Sequence, residues 1–256
     1  MLQTSPTPLS GRLTPLTSQP TTSQPGRPQT MTRIREATRD QLRATLKLGE
    51  RAFFVGHTGT GKTYLAAKLI DEVVPPRLPV VIIDPKKLIE VNAGSHWEIL
   101  DDLPRHWERL SRHPKRPRHL RVIIRPEFLE DMRKHELLNS IYDRIFAVGK
   151  CLVYLDEIQR LCYNSRSSQS LANLVQMGRQ PKISVWGSTL RPAGIPRMFI
   201  SETDHSFTFY LQDEQDRDRM AEVIGPWGKE IPGPGVHDFW YRPPWDGKID
   251  PILVHQ

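Results

Sequence analysis

Between the apolar run Ala52-Phe53-Phe54-Val55 and the amphipathic stretch from Tyr64 to Val74 stands Gly56-His57-Thr58-Gly59-Thr60-Gly61-Lys62-Thr63, a segment that leaves the chain few choices of fold. Glycines let a backbone turn its N–H groups inward, and a helix beginning directly behind them adds the positive end of its dipole, so the segment forms a cradle for phosphate. Every position of G-x-x-x-x-G-K-[ST] is satisfied, and strand, loop, helix is the order that pattern requires. On this reading Gly56, His57, Thr58, Gly59, Thr60, Gly61, Lys62 and Thr63 bind ATP; Lys62 reaches the β- and γ-phosphates and the Thr63 hydroxyl ligates Mg²⁺. A loop that holds nucleotide without hydrolysing it would satisfy the same pattern. Hydrolysis has to be argued from elsewhere in the chain.

At 256 residues the chain accommodates one α/β core with a buried sheet, and a second large domain would leave too little for either. The formal charge of +7 and sequence pI near 9.5 suit a polyanionic partner, although a solvated basic surface explains them as simply. The two cysteines, Cys151 and Cys162, make no disulfide framework, and the nine histidines have no C-x-x-C or H-x-x-x-H partners, so no structural zinc is expected and the setting is reducing. No apolar run approaches bilayer length and the N-terminus lacks a signal-peptide pattern, which predicts a soluble, cytosolic chain.

Residues 1–30 are rich in Pro, Thr, Ser and Gln and poor in large apolar side chains, so they cannot offset their ordering entropy and read as a disordered tail or a docking peptide. Residues 31–225 read as the nucleotide-binding core. Pro79-Val80-Val81-Ile82-Ile83, Leu120 to Ile124, Cys151 to Leu155, Ile183 to Trp186 and Phe207 to Tyr210 come after the first strand as further strands, apolar enough to be buried on both faces. The segment with Trp97 and Trp107 reads as helix and loop, Leu137 to Val148 as a helix packed on the sheet, and 213–224 as a charged helix. Strands alternating with helices predict a RecA-like (ASCE) P-loop α/β fold, a mostly parallel sheet with helices on both faces. Residues 226–256 read as a strand-containing extension of the same domain that turns the sheet antiparallel.

The strand Leu152-Val153-Tyr154-Leu155 ends in Asp156-Glu157. Strand ends at the carboxyl edge of a parallel sheet are where ligands sit. Asp156 would complete the Mg²⁺ shell and Glu157 would orient and deprotonate the attacking water, which turns a nucleotide binder into a hydrolase. A strand that merely stops at two solvated acids is the plainer alternative.

Val80-Val81-Ile82-Ile83 running into Asp84-Pro85-Lys86, with Leu88-Ile89-Glu90 behind it, resembles the I-D-P-K segment of the FtsK/HerA superfamily of DNA-pumping ATPases. Met177-Gly178-Arg179-Gln180, then Ile183 through Thr189-Leu190-Arg191-Pro192, is similar to that family's G-R-x-x-G-I strand ending in A-T-Q-R-P. The resemblance covers about Arg51 to Gly225 and is nearest to the compact genome-packaging ATPases of icosahedral viruses with an internal membrane. It implies a homo-oligomeric ring, a hexamer in most members, acting on double-stranded DNA in the host cytoplasm or at the virion vertex, with a capsid vertex or membrane-protein docking partner. It also implies Arg179 as an arginine finger reaching a neighbour's γ-phosphate, with Arg160, Arg166 and Arg191 as competitors, and Thr189 as a polar sensor. Leu190 stands where the family has glutamine and cannot hydrogen-bond a phosphate or a water.

A translocase grips phosphates without reading bases, and the cations Lys115, Arg116 and Arg118, with Arg166 beyond the acid pair, are the candidates for that grip; a solvated loop is the plainer reading of the cluster. Two other functions fit the same residues. One is an AAA+-type helicase loader or transposition helper, which would carry a helical lid after the core. The other is a nucleotide-gated ring scaffold with little turnover.

Overall fold

The sheet, which carries everything the site depends on, is built from strands whose continuous apolar sequence commits both faces to burial. β1 (Arg51–Val55), β2 (Val80–Ile83), β5 (Cys151–Leu155) and β6 (Ile183–Thr189) are buried at every residue. The structure is a computed structural model that describes residues 47–86, 89, 97–100, 121–126, 132–162, 166–230, 232–233, 237–244 and 251–254, all within the unit Thr32–Gln256. The expected tail over 1–30, all but the last two residues of Met31 to Leu48, whose spacing predicts a loose helix, and the cations Lys115, Arg116 and Arg118 lie outside the described residues.

Nine strands of the described residues form one sheet in the order β3-β4-β2-β5-β6-β1-β7-β8-β9. The remaining strands are β3 (Trp97–Leu100), β4 (Arg121–Ile124), β7 (His205–Thr208), β8 (Phe239–Arg242) and β9 (Ile252–Val254). Pairing from β3 to β7 is parallel throughout, and β8 and β9 add on antiparallel. The fold is therefore the expected ASCE arrangement, in which β6 is inserted between the phosphate-loop strand β1 and the acid strand β5.

Alternation within each strand sends successive side chains to opposite faces and makes two cores. Phe53 and Val55 face one, with Val153, Leu155 and Val185, where α2 (Met132–Val148) and α4 (Gln169–Met177) supply Ile141, Tyr142, Leu171 and Leu174. Ala52 and Phe54 face the other, covered by Ala66, Leu69 and Ile70 of α1 (Lys62–Val73). α3 (Ile158–Leu161), α5 (Met198–Ser201) and α6 (Glu214–Ile224) complete the helices used below. The antiparallel end is tied in by stacked rings: Phe54 on Phe207 at 4.6 Å, Phe207 on Tyr241 at 4.9 Å.

Two elements differ from the sequence reading. Trp97–Leu100, expected within a helical and loop segment, is a strand paired in parallel with β4, and the Arg121 guanidinium stands over the Trp97 ring at 5.3 Å. A four-residue edge strand has no periodicity of its own, and its state is set by the partner it finds. β7 starts at His205 and not at Phe207, because the buried His205 is satisfied by Tyr241 Oη and Glu50 Oε2, each at 3.1 Å. Phe209 and Tyr210 still continue the ladder, Phe209 N–H donating to the Val55 carbonyl and His57 N–H to the Tyr210 carbonyl at 2.8 Å each.

Candidate active site

All the strands from β3 to β7 end at one edge of the sheet, and the phosphate loop leaves β1 there. Gly56 admits no side chain: a Cβ on it would lie 2.6 Å from Phe209 Cβ. The loop is braced from below, Gly56 N–H reaching the Thr189 carbonyl at 3.3 Å and Thr60 Oγ1 the His57 carbonyl at 2.9 Å. α1 then starts at Gly61 with φ 96°, no side-chain cap and no acid in its first turn. Its first N–H groups are thus left for an external anion, the role that a helix start plays for phosphate. Lys62 is 5 % exposed and its Nζ donates to the His57 carbonyl at 2.9 Å. Burial pulls its pKa down to about 8, with Glu157 and Asp156 pulling the other way and Lys86 reinforcing the fall.

Because β6 separates β1 from β5, the acid pair faces the loop across one strand. Asp156 Oδ1 accepts from Ser188 Oγ at 2.6 Å, Tyr154 Oη at 3.0 Å and Thr63 Oγ1 at 3.3 Å. Burial raises the Asp156 pKa, and Glu157 and Asp84 add to the rise against the hydrogen bonds from Ser188 and Tyr154. Its Oδ2 is buried with no hydrogen-bond partner among the described residues. An orphaned carboxylate oxygen beside a threonine hydroxyl is a hard-oxygen set that fits Mg²⁺. Held by Thr63 and Asp156, the ion would supply positive charge to offset that of a bound polyphosphate.

Glu157 sits at φ 52° and ψ 60°, a left-handed conformation that costs a non-glycine residue about 1 kcal/mol. The turn aims its carboxylate back over the strand edge, where Lys86 Nζ donates to Oε1 at 2.6 Å and Gln159 Nε2 to Oε2. Ser188 Oγ takes the Glu157 N–H at 3.1 Å, so one hydroxyl serves both acids. Thr189 ends β6 fully buried, its Oγ1 donating to Gln159 Oε1 at 2.7 Å.

The structure therefore brings Lys62, Thr63, Asp156, Glu157 and Thr189 together at one edge of the sheet. Arg179, which the resemblance assigns to a neighbour's site, is not among them. It precedes β6 at the opposite edge of the sheet, separated from the acids of its own chain by about 20 Å of strand, and pairs with Asp204 at 2.7 Å. Arg166 stands exposed between α3 and α4. Arg191 is held near the loop by Asp213 at 2.9 Å and Asp216 at 3.3 Å, beside an open cavity of about 580 Å³ lined by His57, Thr58, Leu190 and Leu211. Sequence reasoning gave no role to Lys86, Tyr154 or Gln159: the pairing of β2 with β5 brings Lys86 to Glu157, while Tyr154 and Gln159, each two residues from the acid it bonds, are joined to it by side-chain direction on β5 and at the start of α3. Lys86 alone had a signal, as the last residue of the Asp84-Pro85-Lys86 segment.

Residues 52–211 match the model of the ATPase family associated with various cellular activities (AAA). DNA packaging ATPase P9 of Enterobacteria phage PRD1 is 27% identical over 177 residues, 68% of this chain and 70% of that protein. The genome packaging NTPase B204 of Sulfolobus turreted icosahedral virus 2, solved with AMPPCP, superposes with a TM-score of 0.60 at 14% identity over 81% of this chain and 97% of its own. VirB4 of Thermoanaerobacter pseudethanolicus gives 0.53 at 11% identity over 80% and 88%. At such identities the two structures speak for the fold. The family match speaks for more, because it spans over half of the sequence, from β1 through the phosphate loop and both acids to the residues behind β7: the chain belongs to the ATPase family associated with various cellular activities and is an ATPase.

Proposed function

We propose that the chain is a motor that hydrolyses ATP with Mg²⁺ to translocate double-stranded DNA, packaging a viral genome into a preformed capsid. The observation that carries this reading is the similarity to the PRD1 packaging ATPase over 177 residues. The Asp84-Pro85-Lys86 segment and the segment from Ile183 to Arg191 favour the same branch of ATPases. In the proposed reaction Lys62 and the loop amides hold the phosphates, Thr63 and Asp156 hold Mg²⁺, and Glu157 takes a proton from the attacking water. Arg179, remote from its own acids, serves the site of the next subunit in a homo-oligomeric ring. Lys115, Arg116 and Arg118, with Arg166, grip the duplex backbone, and the motor works in the host cytoplasm or at a virion vertex through a capsid or membrane-protein partner. The proposed organisation is a tail over 1–30, a core over 31–225 and an extension over 226–256.

The helicase-loader alternative requires a helical lid after the core. Among the described residues, Gly225–Gly228 is a single 3₁₀ turn, and the elements beyond it are the paired strands β8 and β9.

ATP turnover measured on size-separated oligomers, with and without duplex DNA, tests the reading. Stimulation by duplex in a ring fraction is the expected result, and no response to any nucleic acid would leave the nucleotide-gated scaffold as the better account. Glu157→Gln should retain nucleotide and lose most turnover.

A further inference from the structure

Gln159, the second residue of α3, spans the gap between the acid pair and the end of β6. Its Nε2 donates to Glu157 Oε2 while its Oε1 accepts from Thr189 Oγ1 at 2.7 Å. The chemistry at each end settles which way the amide faces. A carboxylate only accepts, so the nitrogen must point to Glu157. Thr189 Oγ1 already receives the Arg191 N–H at 3.2 Å, which leaves its proton for the amide oxygen.

Glu157 has another tie to β6, but that one, from its N–H to Ser188 Oγ, holds the backbone and leaves the carboxylate free to rotate. The carboxylate itself is gripped from two sides: Lys86, just beyond β2, takes Oε1, and Gln159, leaning on β6, takes Oε2. Thr189 lies opposite Val55 in the ladder, and its carbonyl receives the N–H of Gly56, the first residue of the phosphate loop. A continuous hydrogen-bonded path thus runs from the phosphate loop through Thr189 and Gln159 to the Glu157 carboxylate. Leu190, next along the chain, has no side-chain polar atom to contribute. The amide at this strand end arrives from α3 instead.

We propose that Gln159 is a positioning residue for ATP hydrolysis: it orients the Glu157 carboxylate toward the attacking water and couples that orientation, through Thr189, to the phosphate loop. The proposal rests on Glu157 acting as the base, and the test separates the two claims. Steady-state ATP turnover, equilibrium binding of a non-hydrolysable ATP analogue and thermal stability are measured on the full chain for Gln159→Ala, Thr189→Val, the double variant and Glu157→Gln. Gln159→Ala should lower kcat by about 10–100-fold, the range for outer partners that orient a catalytic group, with analogue affinity and KM within about twofold and Tm unchanged. The double variant should be no slower than the slower single variant, because both substitutions cut one bridge.

A Gln159→Ala kcat within about twofold of the parent, alongside an inactive Glu157→Gln, would overturn the role of Gln159 and spare the base. Effects that multiply in the double variant would show that no bridge operates. Loss of affinity and Tm together with kcat would make Gln159 structural and overturn its positioning role. Full turnover by Glu157→Gln would remove both claims at once.

Discussion

At the residue scale, the buried side chains of the site behave differently according to how their charge is compensated. Lys62 is drawn down to about 8 because burial outweighs the nearby carboxylates. A bound triphosphate adds negative charge and favours the protonated form, so binding above that pH requires proton uptake. Analogue affinity measured without Mg²⁺ should hold steady up to about pH 8 and then weaken with each step upward, by at most about tenfold per pH unit. Lys62→Met should abolish that slope as well as weaken binding, and a profile flat to about pH 9.5 in the parent chain would contradict the depressed value. The loop, Asp156 and Glu157 were legible in the sequence because each lies in a contiguous pattern whose chemistry depends on neighbours in the chain. Tyr154, Ser188 and Gln159 were not read as partners of those acids, because their meaning comes from facing Asp156 or Glu157 across β5, β6 and α3.

At the scale of elements, the long apolar strands read correctly from sequence, since a run buried on both faces has little else to become. The four-residue strands Val80–Ile83 and Arg121–Ile124 are legible for the same reason, whereas the strands at the two ends of the sheet are not. Trp97–Leu100 takes its state from β4, and β9 is three residues paired, among the described residues, with β8. The charged helix α6 lies at nearly the limits read for it, and the structure shows what sets its start: Asp213 caps it, accepting from Gln215 N–H at 2.9 Å, and acids stand in its first turn. What holds its far end is less visible in sequence: Gly228 packs so closely on α6 that a Cβ there would lie 2.4 Å from the Ala221 nitrogen. Backbone cannot yield as a side chain can, so Gly228→Ala should cost about 1–3 kcal/mol, the range for overpacking. For a chain of this size that is a fall in Tm of about 2–4 °C per kcal/mol, readable by calorimetry, while ATP turnover per folded molecule stays unchanged.

At the scale of the whole molecule, the two edges of the sheet carry different residues. Its carboxyl edge holds the loop, the acids and Thr189; Arg179 and Asp204 stand at the other. If Arg179 serves the neighbouring site, Arg179→Ala and Glu157→Gln should each be nearly inactive alone. Mixed before assembly, they should recover turnover, because some interfaces then pair an intact Glu157 with an intact Arg179. No recovery in mixed oligomers of verified composition would refute action between subunits. A P-loop α/β core with an acid pair at a strand end was readable directly from the linear chain, because phosphate binding depends on backbone turned by consecutive residues and burial on runs of apolar ones. The bridge through Gln159 and the removal of Arg179 to the far edge were not. These depend on which strands pair, and pairing is decided by contacts among residues remote in sequence, when both faces of the sheet are buried together.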